Sequence, residues 1–232
     1  STLKNDEPII KEVCLYFEYK LYRANRTTKI NAEHFQAFSS PNFPPLAESG
    51  VHLKFNNRLL IENSDGDKLI TRKKFDNNIS ILKLFPGITK NVIESVFAIK
   101  DLKGLVLETY GSGNAPSEKW FIELMKKAIE DGLHIVNVTQ CAGGSVLMGQ
   151  YETSVELERI GVISGNDITT ESAIAKLMYL LGQNIAKNEF KTLEEMGAKV
   201  LVVYKNKKDL ELTEEEKKQH PAKWKFLEYL PY

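Results

Sequence analysis

The sequence predicts an α/β chain built on a doubly wound parallel sheet. Three observations carry that expectation. From about residue 79 onward one unit recurs: a short apolar run rich in β-branched residues, a loop of small polar residues, then a segment of helical period. The helical segments gather their apolar residues on single stripes. Start and stop residues stand at the ends of those stripes, Thr169 or Thr170 opening one and Gly132 closing another.

Residues 12–17 read as a buried strand and residues 32–38 as a short helical piece. Residues 39–50 hold Pro41, Pro44 and Pro45 and suit a linker. The repeat starts with a strand over 79–85, which passes through Pro86-Gly87 into a helix with Val92, Ile93, Val96 and Phe97 apolar. A second strand over 102–109 passes through Gly111-Ser112-Gly113-Asn114 into a helix whose stripe is Trp120, Phe121, Leu124, Met125, Ala128 and Ile129. The third strand, 134–139, enters a long glycine-containing loop and a weaker helix over 154–160. The fourth, 162–164, precedes a helix with Ala173, Ile174, Leu177, Met178 and Leu181 on one face and Glu171 in its first turn. Beyond it come an apolar strand over 199–204, a mixed charge run that reads as a solvated helix face, and an aromatic end.

Composition narrows the function. The 232 residues include 31 basic and 31 acidic side chains and are 42% hydrophobic. Such a length fits one large domain or two small ones, burying roughly 70–75% of the unfolded surface. With no net charge there is no basic stripe to neutralise phosphates, so nucleic acid is not an expected partner. The apolar run over 200–204 is far short of the roughly 18–20 residues that span a bilayer, and no membrane partner is expected. Residues 3–7 are too polar for a signal peptide. Cys14 and Cys141 make neither a disulfide nor a zinc pattern, so a reducing, cytosolic compartment is expected.

The first 38 residues are too few to enclose a core. Their strand is therefore expected to pair with something outside the chain or with another copy, as in a piece of a longer protein.

Chemistry is sought in the loops after parallel strands, here residues 110–116, 139–152 and 164–169. Asn, Ser, Thr, Gln and Cys with interspersed glycines suit a small polar or zwitterionic ligand. Gly111-Ser112-Gly113-Asn114 runs into a helix N-terminus, which favours a carboxylate. Weighed alone it reads first as a tight turn needing positive φ and only second as a ligand site, and it lacks the third glycine of a dinucleotide fingerprint. Arg23, Arg26 and Lys29 read as a solvated loop, or Lys29 as a base if burial lowers its pKa. Cys141 reads as a small hydrophobe at a loop mouth. His34, His52, His134 and His220 share no metal-ligand spacing, and neither a cofactor nor a metal is expected.

Five ordered stretches resemble the cytosolic, type I L-asparaginases. They are residues 23–29 (RANRTTK), 40–46 (SPNFPPL), 110–116 (YGSGNAP), 137–141 (NVTQC) and 161–171 (GVISGNDITTE). The resemblance runs from about residue 9 to about residue 195. It implies a Rossmann-like C-terminal asparaginase domain and hydrolysis of L-asparagine to L-aspartate and ammonia in the complete enzyme, through an acyl-enzyme on a threonine. Lys29 matches a catalytic lysine. Asn114 matches an asparagine that reaches the substrate of a partner subunit, which implies a homo-oligomer. Thr28, Thr139 and Cys141 match places in an allosteric asparagine site, where Glu108 replaces an arginine.

The family's two threonine motifs, TGGTI and HGTDT, do not occur. The resemblance therefore leads us to expect a C-terminal portion only: a remnant of the N-terminal catalytic domain over 1–38, a Pro-rich linker over 39–50, the C-terminal α/β domain over 51–195 and an unmatched tail over 196–232. Such a truncated chain would lack its N-terminal domain and nucleophilic threonine, and would be inactive alone. The alternatives are a non-catalytic asparagine-binding or dimerisation module, or one half of a split amidohydrolase.

Overall fold

The structure, a computed structural model, describes residues 3–4, 7–34, 36–61, 73–149 and 152–183. The strand expected over 199–204, the charge run and the tail over 196–232 lie outside the described residues. Those described group into two compact units, one up to Ile61 and one from Lys73.

In the first unit, β1 (Leu3–Lys4) pairs antiparallel with β2 (Glu7–Pro8). β3 (Cys14–Phe17) turns directly into β4 (Lys20–Arg23), with Phe17 opposite Lys20. This corrects the expectation that the first strand needs a partner outside the chain. The two residues between them, Glu18 and Tyr19, have φ of 46° and 66°. Two left-handed residues in a two-residue loop match the twist of the strands, a geometry usually marked by Asn-Gly or Asp-Gly. Here the neighbouring strand steadies it, because the Ser49 N–H donates to the Tyr19 carbonyl at 2.7 Å.

A short ladder joins β5 (Thr28–Lys29) to β6 (Phe38–Ser39). No helix forms over 32–38 among the described residues. The Asn31 side chain accepts from the N–H groups of Glu33 and His34 at 2.9 and 3.0 Å, an Asx turn that competes with a helical turn. Residues 39–50, expected as a linker, close a turn in which Ser40 Oγ donates to the Phe43 carbonyl at 2.7 Å, and then enter β7 (Ala47–Ser49). With β8 (Leu53–Phe55) this completes an antiparallel sheet in the order β3-β4-β7-β8. Leu46 is fully buried, alongside the buried Phe43 and Ala47. The segment ahead of residue 61 thus has its own four-stranded sheet and buried side chains, and is no mere remnant.

The second unit alternates β9 (Ile79–Lys83), α1 (Lys90–Phe97), β10 (Gly104–Thr109), α2 (Lys119–Glu130), β11 (His134–Thr139), α3 (Glu152–Arg159), β12 (Ile163–Ser164) and α4 (Thr170–Gly182). All four strands are parallel. Leu105, Val106 and Leu107 are fully buried in succession, as a strand covered on both faces requires. Leu105, Leu107 and Ile135 pack with Ile93, Phe121, Met125 and Leu157 from α1, α2 and α3. The opposite face takes α4: a Cβ on Gly104 would come within 2.7 Å of Leu177.

The strand order is β12-β11-β10-β9. Among the described residues each crossover advances one strand in the same direction, so the reversal of order expected of a doubly wound sheet is not seen within these four strands. Helices cover both faces because α4 returns across the sheet, not because the order switches. Of the predicted caps, Gly132 (φ 99°) closes α2, with the Leu133 N–H reaching the Ala128 carbonyl, and Thr169 Oγ1 opens α4 by accepting from Ser172 N–H at 3.2 Å. No helix among the described residues is long and apolar enough to cross a membrane.

Candidate active site

Parallel strands deliver their following loops to one end of the sheet, and the second unit places three of its predicted residues there. β10 ends in Thr109 and the tight turn 110–114, where the N–H groups of Gly113 and Asn114 both donate to the Tyr110 carbonyl, at 3.0 and 2.9 Å. Asn114 is half-buried at the close of this turn. Gly111 and Gly113 have φ of 49° and 114°, so positive φ is what these glycines supply. From β11, Thr139 Oγ1 donates to the Gly111 carbonyl at 2.5 Å and accepts from the Cys141 N–H at 3.0 Å. Asn114, Thr139 and Cys141 thus lie on one connected set of loops. Cys141 is an exposed free thiol, not the small buried hydrophobe its place at a loop mouth suggested.

A buried polar layer supports these loops. Thr109 Oγ1 donates to Asn137 Oδ1 at 2.7 Å, both residues being fully buried. Gln140 Nε2 donates to the carbonyls of Leu84 and Glu108 at 2.7 and 2.9 Å, joining the ends of β9 and β10 beyond their ladder. The Glu108 carboxylate is itself engaged: Lys83 Nζ stands 3.2 Å from Oε2 and Thr170 Oγ1 donates to Oε1 at 2.7 Å. Residue-by-residue reading missed this three-way contact, since Glu108 and Thr170 are 62 positions apart and no local pattern links them.

Thr28 and Lys29 belong to the first unit, side by side on β5. Lys29 is exposed, with its ammonium 5.9 Å from the centre of the Phe38 ring. Nearby, Arg23 and Arg26, read as solvated, are 3% and 2% exposed. Arg23 Nε pairs with Glu12 at 2.5 Å, its Nη2 donates to the Leu59 carbonyl at 2.7 Å, and both guanidinium groups lie over the Phe43 ring. Among the described residues, no group of three or more His, Cys, Asp or Glu side chains is placed to hold a metal ion.

The family model for the glutaminase/asparaginase C-terminal domain matches residues 78–193, half of the chain, and the N-terminal asparaginase model matches residues 2–60. The chain belongs to the asparaginase family. L-asparaginase 1 of Escherichia coli (strain K12) is 42% identical over 176 residues, covering 76% of this chain and 52% of that protein. The 60 kDa lysophospholipase of Mus musculus is 40% identical over 186 residues, 80% of this chain and 33% of its own. The crystal structure of L-asparaginase I from Vibrio cholerae superposes with a TM-score of 0.72 at 38% identity, covering 78% of this chain and 54% of that one. The chain thus spans about half the length of these L-asparaginases.

The N-terminal match corrects two expectations about this asparaginase-family chain. It is not a C-terminal portion alone, because residues 2–60 match the N-terminal asparaginase model beside the C-terminal match. The inference of a missing N-terminal domain, and with it of a missing nucleophilic threonine, also falls. It rested on two short absent motifs, whereas the family model scores the whole stretch from residue 2 to residue 60.

Proposed function

We propose that this asparaginase-family protein hydrolyses the side-chain amide of L-asparagine to L-aspartate and ammonia, in a cytoplasmic, homo-oligomeric setting. The observation that carries the reading is the joint match to both asparaginase domains, with Asn114 on a tight turn held by bonds to Tyr110. In this reading a hydroxyl attacks the amide carbon, ammonia leaves, and water releases aspartate from the acyl-enzyme. Lys29 assists proton transfer at the hydroxyl, and Asn114 reaches and binds the substrate of a partner subunit. By the family resemblance Thr139 and Cys141 would border a second asparagine site, but Glu108 stands there in place of an arginine and its carboxylate repels the ligand's own, so no allosteric response to asparagine is proposed.

Lysophospholipid is the competing substrate that one group of relatives brings by name. The small neutral side chains at the strand ends, Ser112, Asn114, Thr139 and Gln140, favour a compact amide over an acyl chain. The test is ammonia release from L-asparagine and L-glutamine beside fatty-acid release from lysophosphatidylcholine. Turnover of asparagine is expected, with Lys29→Ala and Asn114→Ala each lowering kcat/KM by about 10²-fold or more, the scale of a lost acid–base or positioning group. Fatty-acid release without ammonia would overturn the reading. Asparagine binding without turnover would favour the non-catalytic module.

A further inference from the structure

The loop after β11 also holds a buried residue, Val146, to which no role has been given above. Val146 is 1% exposed although it lies in the middle of a loop. Its N–H donates to the Asn166 carbonyl at 2.8 Å and its carbonyl accepts from Ser164 Oγ at 3.3 Å, which ties it to the loop after β12. The next residue, Leu147, donates its N–H to the Ser112 carbonyl at 2.9 Å, inside the turn that ends in Asn114. A Cβ added to Gly113 would lie 2.9 Å from Val146 Cγ1, so the valine side chain is pressed against the backbone of that turn. One buried side chain, two backbone–backbone bonds and one bond from the Ser164 hydroxyl therefore connect the loops after β10 and β11 to β12 and the loop that follows it.

We infer that Val146 is a positioning residue for Asn114, acting as a strap that holds the 110–114 turn against the loop after β12. This rests on the proposed role of Asn114 in binding substrate. The physical reason is close packing: a turn with two positive-φ glycines has many backbone states available, and an immobile wall narrows them beyond what its own bonds to Tyr110 do. Removing the two valine methyls leaves a gap at that wall and frees Gly113 to sample the others.

The experiment measures amide hydrogen exchange and asparagine affinity on the full chain. Val146→Ala is expected to speed exchange at Gly113 and Asn114 by roughly tenfold, while the β10 amides keep their protection. Asparagine affinity should fall in parallel, and the same substitution made in an Asn114→Ala background should leave affinity unchanged, which a merely structural role would not predict. Should Val146→Ala fail to fold, Ser164→Ala removes the hydroxyl that donates to the Val146 carbonyl and accepts from the Asn166 N–H, and should give the same pattern more weakly. Unchanged exchange at Gly113 and Asn114 in the folded variants would overturn the inference. Faster exchange in a chain that binds no asparagine would keep the strap and reject the role of Asn114.

Discussion

Lys176 shows how one residue couples burial to pH. It lies on α4, 6% exposed, and burial pushes its ammonium down from 10.5 to about 7. Below pH 7 both folded and unfolded chains carry the proton, and the cost of burying the charge is felt in full. Between about pH 7 and 10.5 the unfolded chain binds the proton and the folded chain does not, so stability rises with pH across that window. Lys176→Met removes the charge at nearly constant length. Urea midpoints should show it stabilising at about pH 6 and much less so at about pH 10; an equal effect at both would mean that the ammonium is not held in a low-dielectric place.

At the scale of elements, the first unit depends on a buried ion pair between β4 and the segment ahead of β3. Arg23 and Glu12 have side chains only 3% and 5% exposed, and the Glu12 carboxylate also accepts from the Ile61 N–H. Arg23→Met strands that carboxylate and should cost about 3–5 kcal/mol in chemical denaturation. Arg23→Met with Glu12→Leu should recover most of the loss, because the penalty lies in the unpaired charge rather than in the pair itself. A double variant no better than the single would show that the pair contributes beyond charge matching. The elements of the second unit were legible in sequence because each obeys a local rule: continuous apolar runs for β10 and β11, and a single stripe for α2. The β3–β4 hairpin was not, since Glu18 and Tyr19 hold left-handed backbone without a glycine and rely on β7, a strand more than twenty residues later in sequence.

For the whole molecule, binding of L-asparagine by the native state must stabilise it by mass action. At a hundredfold excess over the dissociation constant the gain is about 2.7 kcal/mol, or a rise in Tm of about 5–10 °C for a chain of this size. No shift at saturating asparagine would count against the proposed function. The sequence by itself determined the parallel sheet, its helices and the family, because strand runs, helix stripes and caps are written in neighbouring residues. Only the tertiary structure decided that the four described parallel strands run in chain order and that Arg23 and Arg26 are buried. Tertiary contacts alone also join Glu108 to Lys83 and Thr170, and Val146 to the Asn114 turn. Each of these depends on contacts between residues far apart in the chain, where shape and burial select the partner and no local spacing announces it.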